Sequence, residues 1–297
     1  MNSVISALYG PQGAFLVSMI DYTSDQRTLA QLGQESSALY KLNKPWPHLV
    51  VDDFFDAEWL ERVRLEATAC DRSKRYAKFL DRKTDHNKFA FLPDVVGPET
   101  VRLVNFLNSG AFLQFLEKLT GISCLLTDPS YFGGGLHKIV AGGFLEVHAD
   151  FNYLKRYGLA RRINLLLYLN KDWDSSYRGD LEMWDRPSMT RITAIAPVFN
   201  RCVIFSTTAE SLHGHPVPLA TPPGIERMSI ALYYYTNTWE SVAEEHSTVF
   251  YISRNNPVRF RADRILKTLV QDLTPPIFRK TIRAIKRRRR GEKTIEV

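Results

Sequence analysis

Two histidines and a carboxylate stand at a spacing that could hold a metal ion. His148-Ala149-Asp150 is followed, 63 residues after the aspartate, by Ser211-Leu212-His213, and Arg227 lies fourteen residues beyond that histidine. Two imidazoles and one carboxylate are the ligand set of the facial triad that holds non-haem Fe(II) and leaves positions open for substrate and O2. Side chains two apart on a β-strand point to the same face, so His148 and Asp150 could share one metal. The third ligand has to arrive from a distant strand, which the long separation allows. Arg227 adds a fixed guanidinium fork able to grip a carboxylate-bearing co-substrate. Ser229 shares a strand face with Arg227 and could join it on that carboxylate.

Each of these residues also has a plainer use. His148 could be a hydrogen-bonded core histidine, Asp150 a turn former or helix cap, His213 a loop residue and Arg227 a surface cation. Their coincidence along a series of strand-like segments favours the metal site. His215 competes with His213 for the third ligand. Pro216 restricts the backbone of His215, so His213 is preferred, with His215 lining the site or lying outside it. His48, His86, His137 and His246 are expected to be structural or surface groups, His137 on a strand close to the pocket.

The elements that would carry these residues are short strands. From Gly133 onward, apolar runs at 136–140, 144–149, 162–169, 179–184, 191–195, 202–206 and 227–236 are separated by Gly, Asp, Asn and Pro. This spacing predicts an all-β barrel or jelly roll and not alternating βαβ units. The third ligand is expected at the end of the strand 202–205. Upstream, some helix is expected near 24–41, a strand at Pro45–Val51, a helix capped by Asp56, and helices over 98–107 and 111–120. Phe112, Phe115 and Leu119 are spaced for one apolar face. The fold class is mainly β with flanking helices, a double-stranded β-helix (cupin-like jelly roll) packed against N-terminal helices. Its parts are an arm over 1–44, one domain over 45–256 with its core at about 133–240, and a helical tail over 257–297.

Composition narrows the classes further. The chain has 297 residues, 44% of them hydrophobic and 12% aromatic, which suits a globular domain with a large core. Its net charge of +7 is uneven, because residues 257–297 hold 13 Lys/Arg against 4 Asp/Glu. The body is nearly neutral, so the basicity is no argument that it binds nucleic acid. Three widely spaced cysteines, Cys70, Cys124 and Cys202, form neither a disulfide framework nor a CxxC site. With no signal-like leader and no run long enough to span a bilayer, a cytoplasmic location is expected. In the tail, Phe278, Ile282 and Ile285 fall on one helical face between cations. Such a basic amphipathic helix over 277–290 could lie on an anionic membrane surface.

From about residue 133 to 240 the chain resembles the prolyl 4-hydroxylase-like branch of the Fe(II)/2-oxoglutarate-dependent dioxygenase superfamily. The resemblance rests on Gly142-Gly143-Phe144-Leu145-Glu146-Val147-His148-Ala149-Asp150, Leu167-Tyr168-Leu169-Asn170-Lys171-Asp172-Trp173, Gly179-Asp180-Leu181-Glu182, Arg201-Cys202-Val203-Ile204-Phe205, His213, and Gly224-Ile225-Glu226-Arg227-Met228-Ser229. Pro45-Trp46-Pro47-His48-Leu49-Val50-Val51-Asp52-Asp53-Phe54-Phe55 is similar to the start of many such domains. The resemblance implies that His148, Asp150 and His213 are the iron ligands. It also implies that Arg227 pairs with the distal carboxylate of 2-oxoglutarate and that Tyr168 hydrogen-bonds the same group. Asn164, four residues before Tyr168, is a weaker candidate for that pocket. Where relatives tend to place a tyrosine on the strand before His148, this chain has His137 and Lys138.

The implied activity is hydroxylation of an unactivated C–H bond with Fe(II), 2-oxoglutarate and O2, releasing succinate and CO2, with ascorbate as reductant. Asp150 argues against halogenation, which generally needs that carboxylate replaced by a small residue. A protein or peptide prolyl residue is the favoured substrate, and a small molecule, sugar or lipid the alternative. Tyr153, Lys155, Arg156, Tyr157, Arg161 and Arg162 could form a basic, aromatic lid. Two other classes compete. A non-redox metal-binding jelly-roll sensor would have no need of the Arg227–Tyr168 clamp, and a zinc hydrolase would be expected to show an HExxH helix.

Overall fold

The computed structural model of the protein describes residues 15–16, 26–76, 85–128, 130–237 and 246–251. The expectations for the tail over 257–297 lie outside them, as does most of the arm over 1–44. Among the described residues, five α-helices precede or flank the sheet: α1 (Gln26–Leu42), α2 (Ala57–Ala69), α3 (Pro93–Val96), α4 (Pro98–Leu107) and α5 (Gly110–Thr120). Their ends follow local chemistry. Asp56 caps α2 by accepting from the Trp59 N–H at 2.7 Å, and Pro98 opens α4, where a missing N–H costs nothing. Phe112, Phe115, Leu116 and Leu119 of α5 are all buried.

The strands are β1 (Phe15–Leu16), β2 (His48–Asp52), β3 (Asp85–Phe91), β4 (Leu126–Thr127), β5 (Gly135–Ala149), β6 (Tyr153–Leu154), β7 (Leu159–Tyr168), β8 (Leu181–Asp185), β9 (Thr190–Ile195), β10 (Cys202–Ser206), β11 (Leu212–His215), β12 (Arg227–Thr236) and β13 (Val249–Phe250). They form one curled, mainly antiparallel sheet in the order β1-β2-β10-β7-β12-β5-β11-β8-β9, with β3 and β13 also on β5. This is the expected jelly roll.

Its curl originates in β5, where the sequence suggested two strands at 136–140 and 144–149. They are one 15-residue strand bent at Gly142 and Gly143. The first half of β5 pairs with β12 and the second half with β11, so the bend carries the chain from one wall of the roll to the other. Gly142 holds a φ of +75°, which side chains disfavour, and a Cβ on Gly143 would collide with the Ile139 side chain.

Both faces of the large wall are buried, with different neighbours. Ile163, Leu165 and Leu167 of β7 and Met228, Ile230, Leu232 and Tyr234 of β12 join the helices in one core. The alternate residues, Asn164, Leu166, Arg227, Ser229 and Tyr233, line the interior of the roll. Trp46, Tyr168, Leu181, Met183, Val203 and Phe205 make a second core. Alternation along β7 and β12 thereby sends polar groups inward while the helices cover their backs.

Candidate metal centre and anion pocket

His148 stands near the end of β5 and His213 directly opposite it on β11, their rings 4.5 Å apart between centroids. His213, the expected third ligand, is therefore not at the end of β10, as the spacing suggested, but on a strand of its own. Each imidazole is fixed through its Nδ1, which lies 2.8 Å from the Glu146 carbonyl for His148 and 2.9 Å from the Ser211 carbonyl for His213. A ring that donates from Nδ1 presents the lone pair of Nε2, the arrangement a metal-binding histidine needs. His148 Nε2 is 3.4 Å from Asp150 Oδ1, and His213 Nε2 is 3.5 Å from Asp150 Oδ2. One donor atom from each residue lies within 4.8 Å of the others. Ligands about 2.1 Å from a metal and at right angles sit roughly 3 Å apart, so these three groups can close on one ion with little movement.

Asp150 does not stand alone. Arg161 Nη2 and Asn164 Nδ2 both donate to its Oδ2, at 2.9 and 2.7 Å, and Arg161 Nε reaches Asn164 Oδ1 at 2.9 Å. Burial would raise the Asp150 pKa, but the Arg161 charge and the two imidazoles outweigh it and hold the carboxyl well below its usual range. The Asp150 carboxylate is thus ionised and oriented. Arg161 is itself buried, with its guanidinium carbon 3.5 Å from the Tyr233 ring centroid and 4.6 Å from that of Phe151.

The sequence groups Arg161 with a lid, and simple alternation would set it on the face away from Asn164, three residues on. A bulge corrects this. The register between β7 and β12 shifts at Tyr234/Tyr235, so that Arg161 pairs with Tyr235 while Ile163 pairs with Tyr234. Arg162 is the extra residue, and Arg161 turns inward beside Asn164. Among the other expected lid residues, Lys155, Arg156 and Tyr157 are exposed and Tyr153 and Arg162 half-buried.

The cavity next to the triad has a volume of about 90 Å³ and is lined by His148, Asp150, His213, Asn164, Arg227 and Ser229, with Lys88, His137, His215 and Tyr233 among its other polar neighbours. Arg227 is buried. Its Nε donates to the Gly179 carbonyl at 2.7 Å and its Nη2 to the Tyr168 hydroxyl at 3.3 Å, so the guanidinium is fixed before any ligand arrives. Ser229 pairs with Tyr168 across the β7–β12 ladder. Arg227, Tyr168 and Ser229 are thus gathered at one place, and Asn164 also lines the cavity, where its amide serves Asp150.

His137 lines the same cavity with Nε2 2.9 Å from the Gly133 carbonyl, whereas Lys138 faces the other way. The Lys138 ammonium, 2% exposed as a residue, binds the Thr68 and Cys70 carbonyls and pairs with Glu226 at 3.0 Å. His48 is structural, with Nδ1 2.8 Å from the Trp46 carbonyl.

Burial, then the neighbouring His148, pushes the His213 pKa down to about 4. Burial also holds His137 and His215 well below the ordinary histidine range. An unfolded histidine titrates near 6.5, so below that pH the unfolded chain takes up protons the folded one refuses. Stability should then fall by about 1.4 kcal/mol per pH unit for each such histidine, until the folded pKa is reached. Asp150 shifts the other way against an unfolded value near 3.9, so its contribution is lost only below about pH 4. The thermal midpoint of the metal-free protein is expected to decline steadily from pH 6.5 to 5. A flat midpoint would contradict neutral burial of these imidazoles.

Geometry thus gathers three groups that could hold one metal ion beside a buried, fixed guanidinium, on a jelly roll. Residues 134–235 match the family model of the 2OG-Fe(II) oxygenase superfamily. That segment, which carries the triad and Arg227, is a 2-oxoglutarate-dependent Fe(II) oxygenase domain. A comparison with curated proteins found no match. Among solved structures, the chain is similar to a prolyl hydroxylase from Trichoplax adhaerens in complex with a hypoxia inducible factor oxygen degradation domain peptide fragment. That match has 18% identity over 75% of this chain and 100% of the other, at a TM-score of 0.54. It is also similar to a prolyl 4-hydroxylase from Phytophthora capsici, with 18% identity over 83% of this chain and 76% of the other, at a TM-score of 0.50.

Proposed function

We propose that the protein is a hydroxylase that places one atom of O2 on an unactivated carbon, with a prolyl residue of a protein or peptide as its substrate. The observation that carries this reading is the convergence of two Nε2 atoms and one carboxylate beside the fixed Arg227 fork. His148, Asp150 and His213 would hold Fe(II) through one face. The bound ion with its co-substrate supplies the oxidising chemistry, in which R–H, 2-oxoglutarate and O2 become R–OH, succinate and CO2. The protein's own residues bind and orient. Arg227, Ser229 and Tyr168 would receive the distal carboxylate, and Arg161 with Asn164 fixes the Asp150 carboxylate. Ascorbate would keep the metal in its ferrous form.

Support for a prolyl substrate is an aromatic pair next to Asp150 in the chain. Phe132, 51% exposed, packs edge-on to Phe151 at 5.7 Å, and Phe151 covers Arg161 beside Asp150. This aromatic surface suits the apolar face of a pyrrolidine ring. The test is incubation with proline-containing peptides, Fe(II), 2-oxoglutarate and ascorbate. A +16 Da peptide product formed with stoichiometric succinate is expected. Succinate formation stimulated only by a sugar or lipid would overturn the prolyl assignment.

Among the described residues no helix is long and apolar enough to cross a membrane. We place the protein in the cytoplasm, with the basic segment 277–290 attaching it to anionic lipid surfaces. Deleting residues 277–297 is expected to abolish sedimentation with phosphatidylserine vesicles at low salt. Unchanged sedimentation would refute that attachment.

A further inference from the structure

β11 carries two inward imidazoles, and only one of them belongs to the triad. Gly214 separates them and lies so close to β5 that a Cβ would sit 2.8 Å from the Leu145 carbonyl oxygen and 2.9 Å from that of Glu146. This tight strand pair sends both His213 and His215 into the cavity. His213 has a backbone partner for its Nδ1. His215 is 4% exposed, and neither of its ring nitrogens has a hydrogen-bond partner.

Buried polar atoms are almost always paired, and each left unpaired costs about 1–3 kcal/mol. A neutral imidazole offers one N–H donor and one acceptor. Arg227 and Lys88, whose charges act on His215, and Ser229 line the same cavity, and all three suit an anion. The orphaned donor therefore points to the same ligand that Arg227 is built to take.

We infer that His215 is a further recognition residue for the dicarboxylate co-substrate, donating a ring N–H hydrogen bond to the carboxylate that Arg227 anchors. The inference rests on the reading of Arg227 given above. His215 touches the co-substrate and not the metal, so its loss weakens one and spares the other.

The test is calorimetric binding of 2-oxoglutarate to anaerobic Fe(II)-loaded protein. His215→Leu is expected to weaken binding about tenfold or more, with metal affinity unchanged, and His215→Gln, which keeps a donor, to recover most of the loss. Binding by His215→Leu within twofold of wild type overturns the inference, as does equal weakening by both variants, which would mark an effect of shape. Should the variants not fold, the wild type suffices. In ¹⁵N-histidine-labelled, Zn(II)-loaded protein, the His215 ring N–H signal must shift on adding 2-oxoglutarate, and an unmoved signal overturns the inference. If 2-oxoglutarate does not bind wild type at all, the reading of the Arg227 pocket fails together with this one. If Arg227→Ala loses binding while His215→Leu keeps it, this inference alone fails.

Discussion

His148→Ala is expected to abolish succinate formation from 2-oxoglutarate. The imidazole would contribute one of three protein ligands, and its Nδ1 contact with the Glu146 carbonyl aims Nε2 at the other two groups. Loss of an outer partner such as that contact typically costs about 10–100-fold in metal affinity or activity, so loss of the ligand itself should cost more. The fold should survive, because Val147, Phe250 and the β5–β11 ladder still pack around the position. Measured together, metal binding should fall steeply while the thermal midpoint of the metal-free protein drops only by the cost of the cavity and of the freed Glu146 carbonyl. A variant that still binds Fe(II) and turns over at the wild-type rate would remove His148 from the centre.

Arg227→Ala should act on the co-substrate and not on the metal. A hydrogen bond to a charged group contributes about 1.5–3 kcal/mol, and a guanidinium can make two to one carboxylate. At about 1.4 kcal/mol per factor of ten, the 2-oxoglutarate requirement should rise by roughly 100-fold or more. Because the distal carboxylate does not react, the interaction is the same before and during chemistry, so the rate at saturating 2-oxoglutarate should change little. Steady-state succinate assays across 2-oxoglutarate concentration separate the two quantities. An unchanged half-saturation concentration with a lowered maximal rate would place Arg227 in another role.

The parts of the site that were legible in the chain are those fixed by strand alternation. His148 and Asp150 share a side because they are two apart where β5 ends, and Arg227 and Ser229 share one along β12. Helix α4 was equally legible, since Pro98 marks its first turn and apolar residues recur at helical spacing. Alternation fails wherever a backbone irregularity changes its parity. The bulge opposite Tyr234/Tyr235 put Arg161 inside, and no residue type near it announces a bulge. β11 escaped notice because it has four residues, two of them histidine and one glycine, a composition that carries no apolar signal. It is nevertheless held on both edges, by β5 and β8. β3 was hidden for a similar reason, because Asp85-His86-Asn87-Lys88 is polar and its pairing with β5 is long-range. Tertiary pairing, not local propensity, defines these two strands.

The position of the metal is the most direct test of the account. Crystals grown anaerobically with Fe(II) and 2-oxoglutarate should give one anomalous peak at the iron edge, about 2.1 Å from Nε2 of His148, Nε2 of His213 and one carboxylate oxygen of Asp150. The ligand density should continue from it toward the Arg227 guanidinium. A peak bound by other side chains, or none at this place in crystals that hold iron elsewhere, would contradict it.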